Sequence, residues 1–341
     1  MLKVDYIEFI KNKNINLLHM KKYYLNLSYV ENLNNKSHDI FNNYIKKKYK
    51  ELKIDKINDL IDFLKNNDNN SIKIICYFQT STKNNYFLNE LGFHLNKNKY
   101  LCEFIFFTFD FWSLDHSFFK VNKYKVICFA RNIEQLNVYH NFNFTKYKEN
   151  IIFINYWCCY NTSFIKFNEN PIKKLLLSGS RHKIFYPERR RLLRLNIVAN
   201  YKHPGYRNKK IDNLDKQNIQ TYNLELNKYF ACFSSSVYVG CNTTGKVENT
   251  HAILLKTFEI LAAGSLLVMP LKEEEYIKEI GLENMINCYL IDFSKDIQSQ
   301  INYIFENIEL FNKIRREGQI HAKENLNSTK KIEELKSLID I

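Results

Sequence analysis

The stretch KTFEILAAGSLLVMP, residues 256–270, constrains the fold of this chain more than any other feature. Leu254, Phe258 and Leu261 recur at spacings of four and three, which is typical of one apolar face of a helix. Gly264 stands where such a helix would end, because glycine adopts the left-handed conformation without a Cβ clash. The apolar run that follows predicts a short buried strand, ended by a proline that has no N–H for a sheet.

Two charged residues, Lys256 and Glu259, interrupt this apolar helix. They are three residues apart, so they occupy neighbouring positions on the helix surface. One interpretation is a partly exposed ion pair. The other is a functional site, which the loops described below favour.

Length and charge limit the possible classes of protein. A chain of 341 residues with 45% hydrophobic content is long enough for two domains. The net charge of +14 is spread along the chain and is not gathered in one tail. It fits attraction to phosphates or acidic partners, but it equally fits a solvated lysine surface, so it does not establish nucleic-acid binding.

The cysteines indicate a reducing compartment, and the apolar runs indicate the absence of a transmembrane segment. None of the eight cysteines forms a CxxC pair, so we expect reduced thiols, no structural zinc and a cytoplasmic location. The first residues lack the apolar core of a signal peptide. The most apolar run, Phe104–Trp112, is too short to span a membrane, so no transmembrane segment is expected. Contact with a membrane surface stays open.

The first half of the chain predicts a small α/β domain over residues 1–168. Continuous apolar runs suit strands of a parallel sheet that is covered on both faces. The predicted strands are Ile72–Phe78, Tyr100–Phe109, Val126–Ala130 and Ile151–Tyr156. A helix is expected within 41–64, another after Ala130, and a linker at Asn168–Pro171.

The second half predicts a doubly wound α/β domain over residues 172–327, with a C-terminal helix over 328–341. Strands are expected at Lys174–Leu177, Lys228–Phe233 and Cys288–Phe293, in addition to the one that follows Gly264. They alternate with helical segments at the spacing of βαβ units. The acidic run Glu273–Glu275 is predicted to be a solvated helix face.

Two polar loops of the second half are suited to binding an anion. One is SGSRHKIFYPER, residues 178–189, and the other is residues 234–250, for which Asn249 or Thr250 is expected to cap the following helix. Ligands of open α/β sheets bind at the carboxyl ends of the strands, where these loops lie. Backbone N–H groups and cations there would bind a diphosphate. Neither a Walker motif nor GxGxxG is present.

The residues of the second half resemble a known family. LKTFEILAAGSLLVMP resembles the donor-site helix of GT-B glycosyltransferases, especially the spore-maturation type and its relatives in large DNA viruses. LLLSGSRHKIFYPERRRLLRL, HPGY, KYFACFSSS and NCYLIDF are similar in kind and order to segments of that family. The resemblance covers Lys174 to about Asn327, and residues 1–165 match only in general character.

This resemblance implies a GT-B-like α/β fold, with two Rossmann-like, doubly wound domains facing across a cleft. It implies transfer of a hexose from a nucleotide-diphosphate sugar to a glycan, protein or lipid, without a cofactor or metal. Glu259 would bind the ribose, and Lys256 and Arg189 would neutralise the diphosphate. The turn Ser178-Gly179-Ser180 would complete the donor site. The sugar, the acceptor and the oligomeric state are not specified.

The sequence departs from the family pattern at one position. Many retaining members carry a glutamate eight residues before the one that Glu259 matches, and His251 stands there instead. His251 would contact a sugar hydroxyl or a phosphate from the helix N-terminus. An inverting enzyme would need a base from the first domain, for which Asp110, Asp115 and His116 are candidates. Asp110 is the first choice, because it directly follows the most apolar predicted strand. Retention and inversion both stay open.

Other interpretations stay open as well. The chain could be a non-catalytic GT-B-like binding module, because of the residue at 251 and the weak match of the first half. It could also be a basic nucleic-acid-binding protein, although no RRM, KH or zinc signature is present. Arg189 could belong to a solvated basic face with Arg190, Arg191 and Arg194.

Overall fold

The computed structural model describes residues 21–26, 50–52, 57–67, 72–78, 90–91, 93, 102–108, 124–128, 133–140, 143–153, 165–179, 186–201, 222–238, 251–327, 330, 333–334 and 337. The chain divides into two compact units, and the main boundary between them lies between Ile154 and Asn155. Phe167 and Asn168, at the predicted linker, contact the Arg315 guanidinium in the second unit. The predicted domain extents remain a prediction.

The described part of the first unit contains a six-stranded parallel sheet in the order β2-β1-β3-β4-β5-β6. Its strands are β1 (Lys21–Asn26), β2 (Lys50–Glu51), β3 (Ile72–Phe78), β4 (Cys102–Thr108), β5 (Tyr124–Cys128) and β6 (Ile151–Phe153). Helices α1 (Ile57–Lys65) and α2 (Ile133–His140) and a 3-10 helix (Thr145–Asn150) accompany them. The four apolar runs therefore form strands, as the sequence predicts.

Sequence patterning misses the first two of these strands. β1 has the sequence KKYYLN, and it pairs with β3 from Lys21 opposite Ile72 to Asn26 opposite Tyr77. β2 lies within the stretch 41–64, where a helix is expected; helix α1 confirms that expectation from Ile57 onward, and the strand at Lys50–Glu51 was not predicted. Both strands are short and rich in lysine, and they lack the apolar run that identified the others.

The second unit contains a five-stranded parallel sheet in the order β13-β12-β9-β7-β8. Its strands are β7 (Ile172–Ser178), β8 (Val198–Tyr201), β9 (Tyr229–Phe233), β12 (Leu266–Pro270) and β13 (Tyr289–Ile291). A separate antiparallel pair joins β10 (Val237–Tyr238) to β11 (His251–Ala252). The helices are α3 (Pro187–Leu192), α4 (Leu255–Ala262), α5 (Glu274–Lys278), α6 (Ile297–Glu306) and α7 (Ile308–Asn325), with a 3-10 turn at Leu271–Glu273.

Alternate residues of the central strands enter two different cores. Leu176 and Leu267 pack in one cluster with the apolar face of α4, whereas Leu177 and Val268 pack in another that includes Phe311 of α7. Because both faces of the sheet are covered, neither face can be polar, and the strands read as continuous apolar runs. This arrangement confirms the predicted doubly wound architecture.

The helix that carries Lys256 begins later than expected. Its N-cap is Leu254, which makes no side-chain cap, so the expected cap at Asn249 or Thr250 is wrong. The chain just before this helix is strand β11, whose pairing with β10 delays the start of the helix. The predicted end is confirmed, because Gly264 has a φ of +71° and follows the C-cap residue Ala263.

Two further findings concern the compartment and membrane expectations. Cys232 and Cys288 are buried free thiols. Among the residues described above, no helix combines the length and apolar character that crossing a bilayer requires.

Candidate active site

Three neighbouring strands of the second sheet end at the edge where the site lies. β7 ends at Ser178, β9 is followed by the buried residues 234–236, and β12 is followed by the 3-10 turn over 271–273. Since β12, β9 and β7 are adjacent and parallel, their carboxyl ends meet at one edge of the sheet. Helix α4, between β9 and β12 in sequence, contributes its own side chains to this edge.

Lys256 crosses from α4 to the end of β7. Its Nζ donates a hydrogen bond to the carbonyl oxygen of Ser178 over 2.6 Å. Gly179 follows with a φ of +89°, and a Cβ placed there would lie 2.2 Å from the same Nζ. The lysine can therefore lie directly over the backbone only because residue 179 has no side chain.

Arg189 reaches the same glycine from α3. Its side chain is 1% exposed, and its NH1 would lie 3.2 Å from a Cβ on Gly179. Its guanidinium carbon lies 3.9 Å from the centre of the Tyr186 ring, and burial lowers its pKa. Pro187 occupies the first turn of α3, as predicted. Two cations thus converge on one backbone position.

Arg189 does not belong to the solvated basic face that was the alternative interpretation. Arg190, Arg191 and Arg194 are exposed, whereas Arg189 is buried. The guanidinium of Arg191 lies over the Phe293 ring, 5.3 Å from its centre. Helix α3 therefore has two exposed arginines, Arg190 and Arg191, and one buried arginine, Arg189, which points into the site.

Glu259 lies one turn after Lys256 and is half-buried. Burial raises the pKa of the Glu259 carboxyl to about 7, against the opposing effect of Lys256. Burial, followed by the charge of Arg189, lowers the pKa of Lys256 to about 7. The Tyr222 hydroxyl lies 2.9 Å from Ser178 Oγ, and burial raises its pKa. A site with such shifted groups is typical of a functional centre.

Of the remaining predicted site residues, the structure describes only one. Ser180 and Asp110 lie outside the described residues. His251 was expected at the N-terminus of helix α4. It lies instead in strand β11, where it pairs with Tyr238. The structure thus brings together Ser178, Gly179, Arg189, Lys256 and Glu259.

Sequence reasoning missed a buried acidic residue at the same edge. Glu273 is 1% exposed, so the prediction that the run 273–275 is a solvated face is wrong at its first residue. Its Oε2 accepts a hydrogen bond from the backbone N–H of Ser236 over 2.9 Å, and burial raises its pKa to about 7. The next residue back, Lys272, forms an ion pair with the buried Glu188.

Comparisons with known proteins give a match at the level of structure. No family model matches the sequence, and none of the curated proteins matches it. Anabaena HepE, solved in complex with UDP and glucose, is 12% identical, and the match covers 94% of this chain and all of HepE with a TM-score of 0.51. TarM is 14% identical, and the match covers 84% of this chain and 57% of TarM with a TM-score of 0.50.

HepE and TarM are GT-B glycosyltransferases. At these identities the likeness shows the fold alone. The two parallel α/β sheets and a match over nearly the whole chain therefore show that this protein has the GT-B fold of those enzymes.

Proposed function

We propose that this protein is a glycosyltransferase that moves a sugar from a nucleotide-diphosphate sugar to an acceptor. The observation that carries the proposal is the convergence of Lys256 and Arg189 on Gly179, at the carboxyl edge of a parallel sheet. Cations over exposed backbone at such an edge suit a diphosphate. HepE, which shares the fold, was solved with UDP and glucose.

The two cations would act on the leaving group. When the bond between the sugar and the diphosphate breaks, negative charge accumulates on the phosphate oxygens. Lys256 and Arg189 are held in place before the reaction, so they stabilise this charge without reorganising. Glu259 would accept hydrogen bonds from the ribose hydroxyls and so fix the nucleotide.

We also propose that transfer needs no divalent metal and that the transferred group is a hexose. Lys256 and Arg189 would supply two positive charges at Gly179 once a bound diphosphate favours the ammonium form of Lys256. Activity should therefore persist in EDTA. His251 and Asp110 remain candidates for contact with the sugar and for the acceptor base, and the anomeric configuration of the product would decide between retention and inversion.

A binding screen tests the proposal most directly. UDP-, GDP-, CMP- and TDP-sugars are added separately, and the melting temperature is measured, because a ligand of the native state stabilises it by mass action. UDP is the first choice because of HepE. Release of the nucleoside diphosphate then reports turnover. Binding without turnover across donors and acceptors would favour a non-catalytic module.

Glu259→Ala is expected to weaken UDP binding by about tenfold or more, because hydrogen bonds to a charged group contribute about 1.5–3 kcal/mol. If the carboxylate contacts the ribose, removing the 2′-hydroxyl from UDP and removing the carboxylate should not have additive effects. Calorimetry with UDP and 2′-deoxy-UDP on both proteins measures this coupling. Glu324→Ala, an exposed change on α7, is the control. Unchanged affinity in Glu259→Ala would refute the assignment.

The affinity for a UDP-sugar is expected to fall as the pH rises above neutral. In the free protein the pKa of Lys256 is lowered to about 7, and a bound diphosphate would raise it again because it favours the ammonium. Binding then takes up a proton, and the affinity falls by at most about tenfold per pH unit. Glu259 and Glu273 each have a pKa of about 7, so from about pH 8 upward they stay ionised and the fall reports Lys256.

Lys256→Arg provides the control for this pH dependence. Arginine stays protonated throughout the range, so the alkaline fall should flatten. Titration calorimetry in buffers of different ionisation enthalpy counts the protons taken up. An alkaline fall that is identical in both proteins would assign it to another group.

A further inference from the structure

Glu273 is a carboxylate in a buried position, which requires stabilising contacts. It is the last residue of the 3-10 turn Leu271–Glu273, called here the 271–273 turn, which follows strand β12 at the edge of the site. The side chain is 1% exposed. Burying a carboxylate without partners costs much free energy, so its contacts indicate what it does.

A chain of buried polar contacts runs from Glu273 to the helix that carries Lys256. Glu273 Oε2 accepts from the N–H of Ser236. Two residues earlier, the hydroxyl of Ser234 lies 3.1 Å from that of Thr257, which follows Lys256 on α4. These serines and the threonine are at most 1% exposed. Glu273 therefore fixes the segment after β9, and that segment is in turn bonded to α4.

The same turn also holds the other side of the site. Lys272 forms an ion pair with Glu188 of α3, and Glu188 directly precedes Arg189. The negative charges of Glu273 and Glu188 also favour the charged form of the Arg189 guanidinium, against its burial. The 271–273 turn thus connects to both elements that supply the cations at Gly179.

We infer that Glu273 is a positioning residue of the donor site, which holds the segment after β9, and through it Lys256 on α4, in the geometry that binds a nucleoside diphosphate. The inference rests on the proposed function. Glu273 touches neither the nucleotide nor the sugar in this assignment, and it acts through the N–H of Ser236. Its conservative replacement by glutamine, which keeps an acceptor oxygen, should therefore preserve binding.

The test compares Glu273→Ala with Glu273→Gln, and Glu275→Ala, exposed on α5, is the control. Hydrogen exchange of peptides that cover 234–238 measures whether the segment is held, because an unbonded amide exchanges from local openings. UDP affinity is measured by calorimetry. Glu273→Ala should raise exchange at Ser236 and weaken UDP binding by about tenfold, whereas Glu273→Gln should stay within about threefold of the wild type.

The outcomes separate this inference from the proposed function. If the wild-type protein binds UDP and Glu273→Ala binds it equally well, the positioning role is wrong and the proposed function stands. Equal losses in the alanine and glutamine variants would also overturn it, because the hydrogen bond would not be the route. A wild-type protein that binds no nucleotide refutes both. If Glu273→Ala does not fold, Thr257→Val breaks the next contact of the chain and should weaken UDP binding in the same direction, and unchanged affinity in that variant overturns the inference.

Discussion

Lys256→Met is expected to weaken UDP binding by between about tenfold and a hundredfold. The side chain places its Nζ over Gly179, 2.6 Å from the Ser178 carbonyl oxygen. Loss of a charged hydrogen bond to a phosphate costs about 1.5–3 kcal/mol, which corresponds to this range. Methionine keeps most of the length and volume of the side chain.

The same change should leave the protein at least as stable. Burial lowers the pKa of Lys256, which means that the folded state disfavours its charged form. Removing the amine removes that penalty, so the melting temperature should be equal or higher while binding is lost. Lys278→Met, which removes an exposed lysine paired with Glu274 and Glu275, has the same effect on net charge and serves as the control. Equal UDP affinity in wild type and Lys256→Met would exclude this residue from the donor site.

The fold of the second half was largely predictable, because its strands are buried on both faces. Leu176 and Leu177 enter opposite cores, so the run that contains them is apolar throughout and is visible without an alignment. The end of helix α4 was equally visible, since Gly264 has the positive φ that its position required. In both cases a local pattern and the tertiary structure demand the same residue types.

Strands that are defined only by pairing with other strands were not predictable from the sequence. β1 is held by pairing with β3 along six residues, yet its own sequence is polar and lysine-rich. β11 contains only His251 and Ala252, and its pairing with β10 displaced the start of the next helix. Neither strand contains an apolar run, so the sequence offered no period from which to predict it.

The residues of the candidate site also divide into those that a local sequence pattern reveals and those that it does not. Lys256 and Glu259 were identifiable because charges on an apolar helix contradict their surroundings. Glu273 was not, because it begins a run of three glutamates, and acidic runs near a helix start are ordinarily solvated. Its burial depends on the segment after β9, which donates the Ser236 N–H from far away in sequence. A residue whose role comes from such a contact leaves no local pattern.

Gly179→Ala is expected to abolish most nucleotide binding while costing only modest stability. The residue has a φ of +89°, where an alanine costs about 1–2 kcal/mol. The added Cβ would also lie 2.2 Å from Lys256 Nζ and 3.2 Å from Arg189 NH1, so at least the lysine must leave its position. Displacing this cation should lower UDP affinity by at least about tenfold, as measured by calorimetry.

Gly281→Ala is the control that separates backbone strain at a positive φ from displacement of the Lys256 side chain. Gly281 has a similar φ of +73°, and a Cβ there would lie 2.6 Å from the ring of His321 on α7, which is not part of the proposed donor site. Both variants should therefore lose comparable stability in thermal unfolding, but only Gly179→Ala should lose UDP affinity. If the two variants lost affinity in proportion to their loss of stability, the close approach of Lys256 to residue 179 would not be what binds the diphosphate, and the donor site would have to lie elsewhere on the sheet edge.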